Sequence, residues 1–128
     1  MSNSQEMLEA LDQQDLTKAD HYFQKALEED PDDLLLELAY YLESIGFYPQ
    51  ARQIYEKLAP IFPEVNLNLA SIASEDGQIE EAFAYLEEIQ PNSDSYLSAL
   101  VLKADFYQME GLTDVAREKL LITLMILY

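Results

Sequence analysis

Ala19-Asp-His-Tyr-Phe-Gln-Lys-Ala-Leu-Glu-Glu-Asp-Pro-Asp-Asp33 decides how the whole chain is read, because its spacing recurs. A small residue, an aromatic four positions on, a small residue three further and a proline after five more describe Ala19, Phe23, Ala26 and Pro31. The ladder returns as Ala51, Tyr55, Leu58 and Pro63, and more loosely as Ala82, Leu86, Ile89 and Pro91. Ala116 opens a fourth copy, so the starts are separated by 32, 31 and 34 residues. That period belongs to stacked helical hairpins. Five positions upstream of the later starts stand Gly46, Gly77 and Gly111, where one helix must end and the next begin. The first copy has Gln14-Asp15 instead. A side chain at positive φ strains such a turn, which predicts that the first hairpin is the loosest.

Two antiparallel helices approach to roughly 8–10 Å only where small side chains meet. Ala39 against Ala51, Ala70 against Ala82 and Ala104 against Ala116 would supply those crossings, and the aromatics would fill the wedges between hairpins. A larger residue at one of these alanines is expected to cost about 1–3 kcal/mol by overpacking.

The pattern resembles the tetratricopeptide repeat family over nearly the whole chain. Copy two reads Leu35, Leu38, Ala39, Leu42, Gly46, Ala51, Tyr55, Leu58 and Pro63. Copy three reads Asn66, Leu69, Ala70, Ala73, Gly77, Ala82, Leu86 and Ile89, departing at Asn66 and carrying Pro91 early. Copy four reads Leu100, Lys103, Ala104, Tyr107, Gly111, Ala116 and Leu120, with Lys103 where leucine is usual and no closing proline. Copy one matches in its second helix only, since Glu6, Met7 and Ala10 replace the first-helix signature. The resemblance implies an all-α, right-handed superhelical solenoid of about four antiparallel helix-turn-helix hairpins. Their spans are about 4–31, 32–63, 64–92 and 93–128, in one domain that forms the N-terminal part of a longer repeat array.

Along the chain, residues 4–14 are expected to form the first helix, and Asp15 to cap a second whose inner face is Ala19, Tyr22, Phe23, Ala26 and Leu27. Pro31 stops that helix and Asp32-Asp33 cap the next. Residues 34–45 are apolar nearly all round, which predicts cover on more than one side. Pro49 suits the first turn of the following helix, and Gln50–Pro60 completes copy two. Residues 65–75 and 79–89 make a third hairpin, 90–94 a loop, and 96–109 with 113 onward a fourth. The last nine residues, Leu120–Tyr128, are apolar except for Thr123. Nine residues of helix reach about 14 Å against a hydrocarbon core of roughly 30 Å, so they do not span a membrane. Repeat arrays need polar ends. Further repeats or a second copy of the chain are therefore expected to cover this stretch.

The chain has 128 residues, enough for an independent core. With no cysteine and no signal-peptide pattern at Met1–Glu6, it reads as cytoplasmic. Twenty-five acidic against seven basic residues give −18, which disfavours nucleic acid and anionic membranes and favours basic proteins or peptides. Solubility explains the same charge, and charge alone does not choose between the two.

No residue pattern points to catalysis or to a cofactor. His21 is the only histidine and sits at an outward position of the second helix, so no histidine pair exists for zinc. Asp30-Pro-Asp-Asp33 lacks the glycine and glutamate of an EF-hand, and helix punctuation explains it. Gly46, Gly77 and Gly111 are too far apart to cradle a phosphate. What the resemblance implies instead is a concave groove lined by first helices. Carried over, its positions are Leu36, Tyr40 and Glu43, then Leu67, Ser71 and Glu75, then Val101, Asp105 and Met109. This apolar floor with acidic walls would match a peptide with apolar anchors and Lys or Arg flanks. The chaperone-binding mode, which holds a C-terminal carboxylate with Lys, Arg and Asn, finds no Lys or Arg here. A non-catalytic protein-interaction scaffold is the function expected. The alternatives are a homo-oligomer assembling through Leu120–Tyr128 and an accessory region of a larger regulator.

Overall fold

The computed structural model describes residues 1–111 and 113–127, with the side chains at 113, 115, 116, 124 and 127 outside that description. Regular structure among the described residues is helical throughout. The helices are α1 (Asn3–Asp12), α2 (Leu16–Glu29), α3 (Asp32–Ser44), α4 (Tyr48–Leu58), α5 (Asn66–Glu75), α6 (Ile79–Glu87), α7 (Tyr96–Met109) and α8 (Thr113–Leu127), with one 3-10 turn, Pro63–Val65, ahead of α5. Each odd-numbered helix packs on the next, giving four hairpins and the all-α helical repeat that the period predicts. Two compact units, Met1–Leu58 and Ala59–Tyr128, hold two hairpins each.

The small residues do what the spacing requires of them. Ala39, Ala51, Ala70 and Ala82 are fully buried at their crossings. In the fourth hairpin Ala104 is only half-buried, and its expected partner side chain, Ala116, lies outside the described residues. Around these crossings the first unit buries Phe23, Leu35, Leu42, Ile54, Tyr55 and Leu58. The second gathers Ala73, Leu86, Ile89, Ala99 and Phe106, with the Phe83 ring edge-on to Phe106 at 5.7 Å.

The hairpin turns share one geometry. Gln14, Gly46, Gly77 and Gly111 all have positive φ, of 60°, 89°, 79° and 78°. In the first three the amide of the following residue returns to a carbonyl five residues back, Asp15 to Ala10, Phe47 to Leu42 and Gln78 to Ala73, at 2.8–2.9 Å. Gln14 therefore carries the strain that its position predicts.

The first hairpin is nevertheless tightly closed, contrary to expectation. Ser2 and Gln5 form a reciprocal cap on α1. At the same end Asp30, just past α2, accepts hydrogen bonds from the Ser4 backbone amide at 2.9 Å, the Ser4 hydroxyl at 2.6 Å and the Asn3 side-chain amide at 3.1 Å. Burial pushes the Asp30 carboxyl up, but the bonds from Ser4 and Asn3 outweigh it and hold the group below its ordinary value. This strap fastens the end of the hairpin opposite the strained turn.

Other local expectations shift for identifiable reasons. Asp15 caps α2 by accepting from the Lys18 amide. Asp32 and Asp33 are first-turn residues of α3 rather than caps, Pro31 holding the cap position without a side-chain bond, so their charge acts on the helix dipole alone. Helix α3 packs on α4 and also meets α1, so it is covered on more than one side with Leu35, Leu38, Ala39 and Leu42 buried, while Tyr40, Tyr41 and, just past its end, Ile45 are 43–49% exposed. Among the described residues no helix is long and apolar enough to cross a membrane.

Candidate functional site

The nine positions expected to line a groove fall three in the first unit and six in the second. In the first unit Leu36 is half-buried and Tyr40 stands half-exposed, its ring 6.0 Å from that of Tyr55. The Tyr55 phenol donates to the Glu43 carboxylate at 2.6 Å. Burial pushes the Tyr55 phenol far up, and the hydrogen bond to Glu43, its charge and Tyr40 push it further. Tyr55 thus keeps its proton, and Glu43, expected as an acidic wall, also ties α4 to α3.

In the second unit the six positions form two rows. Leu67, Ser71 and Glu75 recur every fourth residue along α5, as Val101, Asp105 and Met109 do along α7, so each row shares one helix face. Leu67 is half-buried against the core of the unit, Ser71 is half-buried and Glu75 is exposed. Val101, Asp105 and Met109 are all exposed. The Ser74 hydroxyl lies 4.0 Å from the Met109 sulfur, which brings the last turns of α5 and α7 together. Apolar side chains and carboxylates therefore alternate on α7.

A cavity of about 530 Å³ opens in the first unit, where α1 lies against α3. Met7 and Ala10 turn into the core, leaving Leu8, Leu11 and Asp12 on the flank that faces this cavity. Helix α3 contributes Tyr41, the start of α2 contributes Leu16, and the turns contribute Gln14, Ile45 and Phe47. Six of the eight lining residues are apolar, one is a carboxylate and none is basic. None of the eight is among the groove positions read from the sequence, because the first copy lacks the first-helix signature. The interval of 32 residues does hold a signal: stepped back by it, Tyr40 and Glu43 fall on Leu8 and Leu11.

A smaller cavity of about 250 Å³ lies in the second unit beside α7 and α8. Lys103, at the position where the repeat pattern has leucine, pairs with Glu87 at 2.7 Å. Lys119 donates to the Tyr107 hydroxyl at 2.9 Å and sits 4.9 Å above its ring. That hydrogen bond and the phenol's charge raise the Lys119 ammonium above its ordinary value.

Chemistry is sparse by comparison. His21 is exposed and meets the edge of the Tyr22 ring at 5.2 Å. Among the described residues no group of three or more acidic or histidine side chains is placed to hold a metal ion.

The family model for the tetratricopeptide repeat matches residues 8–33 and 63–90. These segments cover most of the first hairpin and the body of the third. A search of curated proteins returned no match.

Proposed function

This chain is a tetratricopeptide-repeat protein, a family whose repeats typically serve as non-catalytic modules for protein–protein interaction, and on that premise we propose that it is a scaffold for a protein or peptide with apolar anchors and basic flanks. The observation that carries the reading is the character of the first helices. Tyr41 on α3, Ile45 at its C-terminal cap, and Val101 and Met109 on α7 are 43–65% exposed, in a chain of net charge −18. Apolar contact supplies affinity there, while the carboxylates select the sign of the partner's flanks and speed its encounter. The same charge turns away nucleic acid and anionic membranes. With no cysteine to protect, the reading places the scaffold in the cytoplasm. A peptide array tests it, pairing apolar cores flanked by lysine with the same cores flanked by glutamate. Lysine-flanked peptides should bind and lose affinity as salt rises from 50 to about 500 mM. Equal capture of both sets would sink the proposal.

A second reading, self-association, has its own observation. Leu121, Ile122, Met125 and Ile126 form one stripe on α8 and are 50–79% exposed. Residues 95–128 carry four acidic and three basic side chains, a formal −1 of the chain's −18. The end of the chain is thus the surface where two copies meet with least repulsion. Sedimentation velocity across concentration, with Met125→Glu as the control, separates an assembling chain from a monomer.

A further inference from the structure

We propose that the cavity between α1 and α3 is an anchor site for a bulky apolar side chain next to a cationic group, and that Gln14 is kept in a strained turn to place an amide at its rim. The inference rests on the interaction reading above and assigns that reading a place. Three observations converge on it. The first is the cavity: Leu8, Leu11, Tyr41 and Ile45 present apolar surface in a concavity of about 530 Å³, in the range of small-ligand sites. Leu16 at its edge is 65% exposed, and an apolar occupant would remove that surface from water.

The second is charge. Asp12 lines the cavity and no basic side chain does, while residues 1–58 carry 13 acidic and four basic side chains. A cation beside the apolar anchor is attracted, and an anion is repelled.

The third is the turn. Cβ atoms built on Gly46, Gly77 and Gly111 would meet nothing within 4 Å, so the requirement at these turns is positive φ and not space. Gln14 holds the equivalent place at φ 60° without glycine's freedom, and it is the one of the four that borders this cavity. Strained backbone is held in place by the surrounding packing and clusters at ligand-binding sites. A glutamine amide both donates and accepts hydrogen bonds, which suits it to the backbone of a docked segment.

Amide NMR on the full chain tests this with two probes sharing one ring, tryptamine as the cation and indole-3-propionate as the anion. Tryptamine should shift the amides of Leu8, Leu11, Tyr41 and Ile45 with a dissociation constant of roughly a few millimolar, as expected for a ligand of its size. Indole-3-propionate should bind at least about fivefold more weakly. Tyr41→Ala, a change at a half-exposed position, should remove the shifts. Gln14→Gly should raise Tm by a few degrees yet weaken a probe that carries a backbone, acetyl-Lys-Trp-amide, about threefold or more. A higher Tm with unchanged affinity would overturn the role given to Gln14. Equal binding of the two probes, or no shift at these amides, would overturn the anchor site. The peptide array can succeed while these amides stay still, in which case the interaction reading survives without this location.

Discussion

The first and fourth hairpins reverse what their turns suggest. α1 and α2 are joined through Gln14, a strained residue, yet α2 carries a fully buried Phe23 and the pair is strapped at the far end by Asp30. The fourth hairpin has the relaxed glycine turn at Gly111, yet Ala104 is half-exposed at its crossing and Lys103 occupies the apolar seam. Turn strain is a local term of about 1–2 kcal/mol. Burying one aromatic side chain and satisfying a polar end outweigh it. How tight a hairpin is therefore follows from its packing, and the turn sets only how the chain reverses.

Substitutions can break or sharpen this contrast. Phe23→Ala should have the largest effect, destabilising the first unit by about 3–5 kcal/mol, because the removed ring is fully buried. A denaturant midpoint shift under 1 kcal/mol would mean that the first hairpin is not held by its core. Next, Asp30→Ala should cost about 2 kcal/mol, since it leaves the buried Ser4 without its acceptor. The Asp30 carboxyl is held below its ordinary value, so its stabilisation is complete above the unfolded pKa of about 3.9 and fades as pH falls through the folded one. The gap between Asp30→Ala and the parent, measured by thermal melts, should thus narrow as pH falls below the unfolded pKa, leaving only what the neutral carboxyl still accepts from Ser4. A constant gap would remove the electrostatic part of the strap.

Smaller effects address the turns and the seam. Gly46→Ala should cost about 1–2 kcal/mol through φ alone, because the added Cβ meets nothing. Asn at the same position should cost less, and equal losses for the two would count against a purely conformational origin. In the fourth hairpin, Lys103→Leu restores the apolar seam at the expense of a partly exposed ion pair, and should stabilise by about 1 kcal/mol. A loss in the melt would show that the Lys103–Glu87 pair, and not the seam, secures α7.

Much of this could be read ahead because it depends on neighbours in the chain. The alanines within each copy, Asp15 as a cap and positive φ at Gln14 are properties of short stretches, and the 31–34-residue interval shows because such a stretch recurs. Periodicity and turn chemistry act over a few residues, so one sequence displays them. The apolar excess of residues 34–45 announced cover on more than one side, but hydrophobic content does not say where that cover stops, and Tyr40, Tyr41 and Ile45 stay half open.

Contacts between distant residues follow another rule. Asp30 reaches Ser4 across 26 positions, and Tyr55 fastens Glu43 across 12. The cavity joins Leu8 on α1 to Ile45 at the end of α3, 37 residues away, and draws in the Gln14 turn between them. No local pattern encodes such a meeting, because it exists only after the helices have packed and left a gap of a given shape. Helix order, hairpin phase and the sign of the surface charge were written in the chain, whereas the concavity that this charge surrounds came from three-dimensional packing.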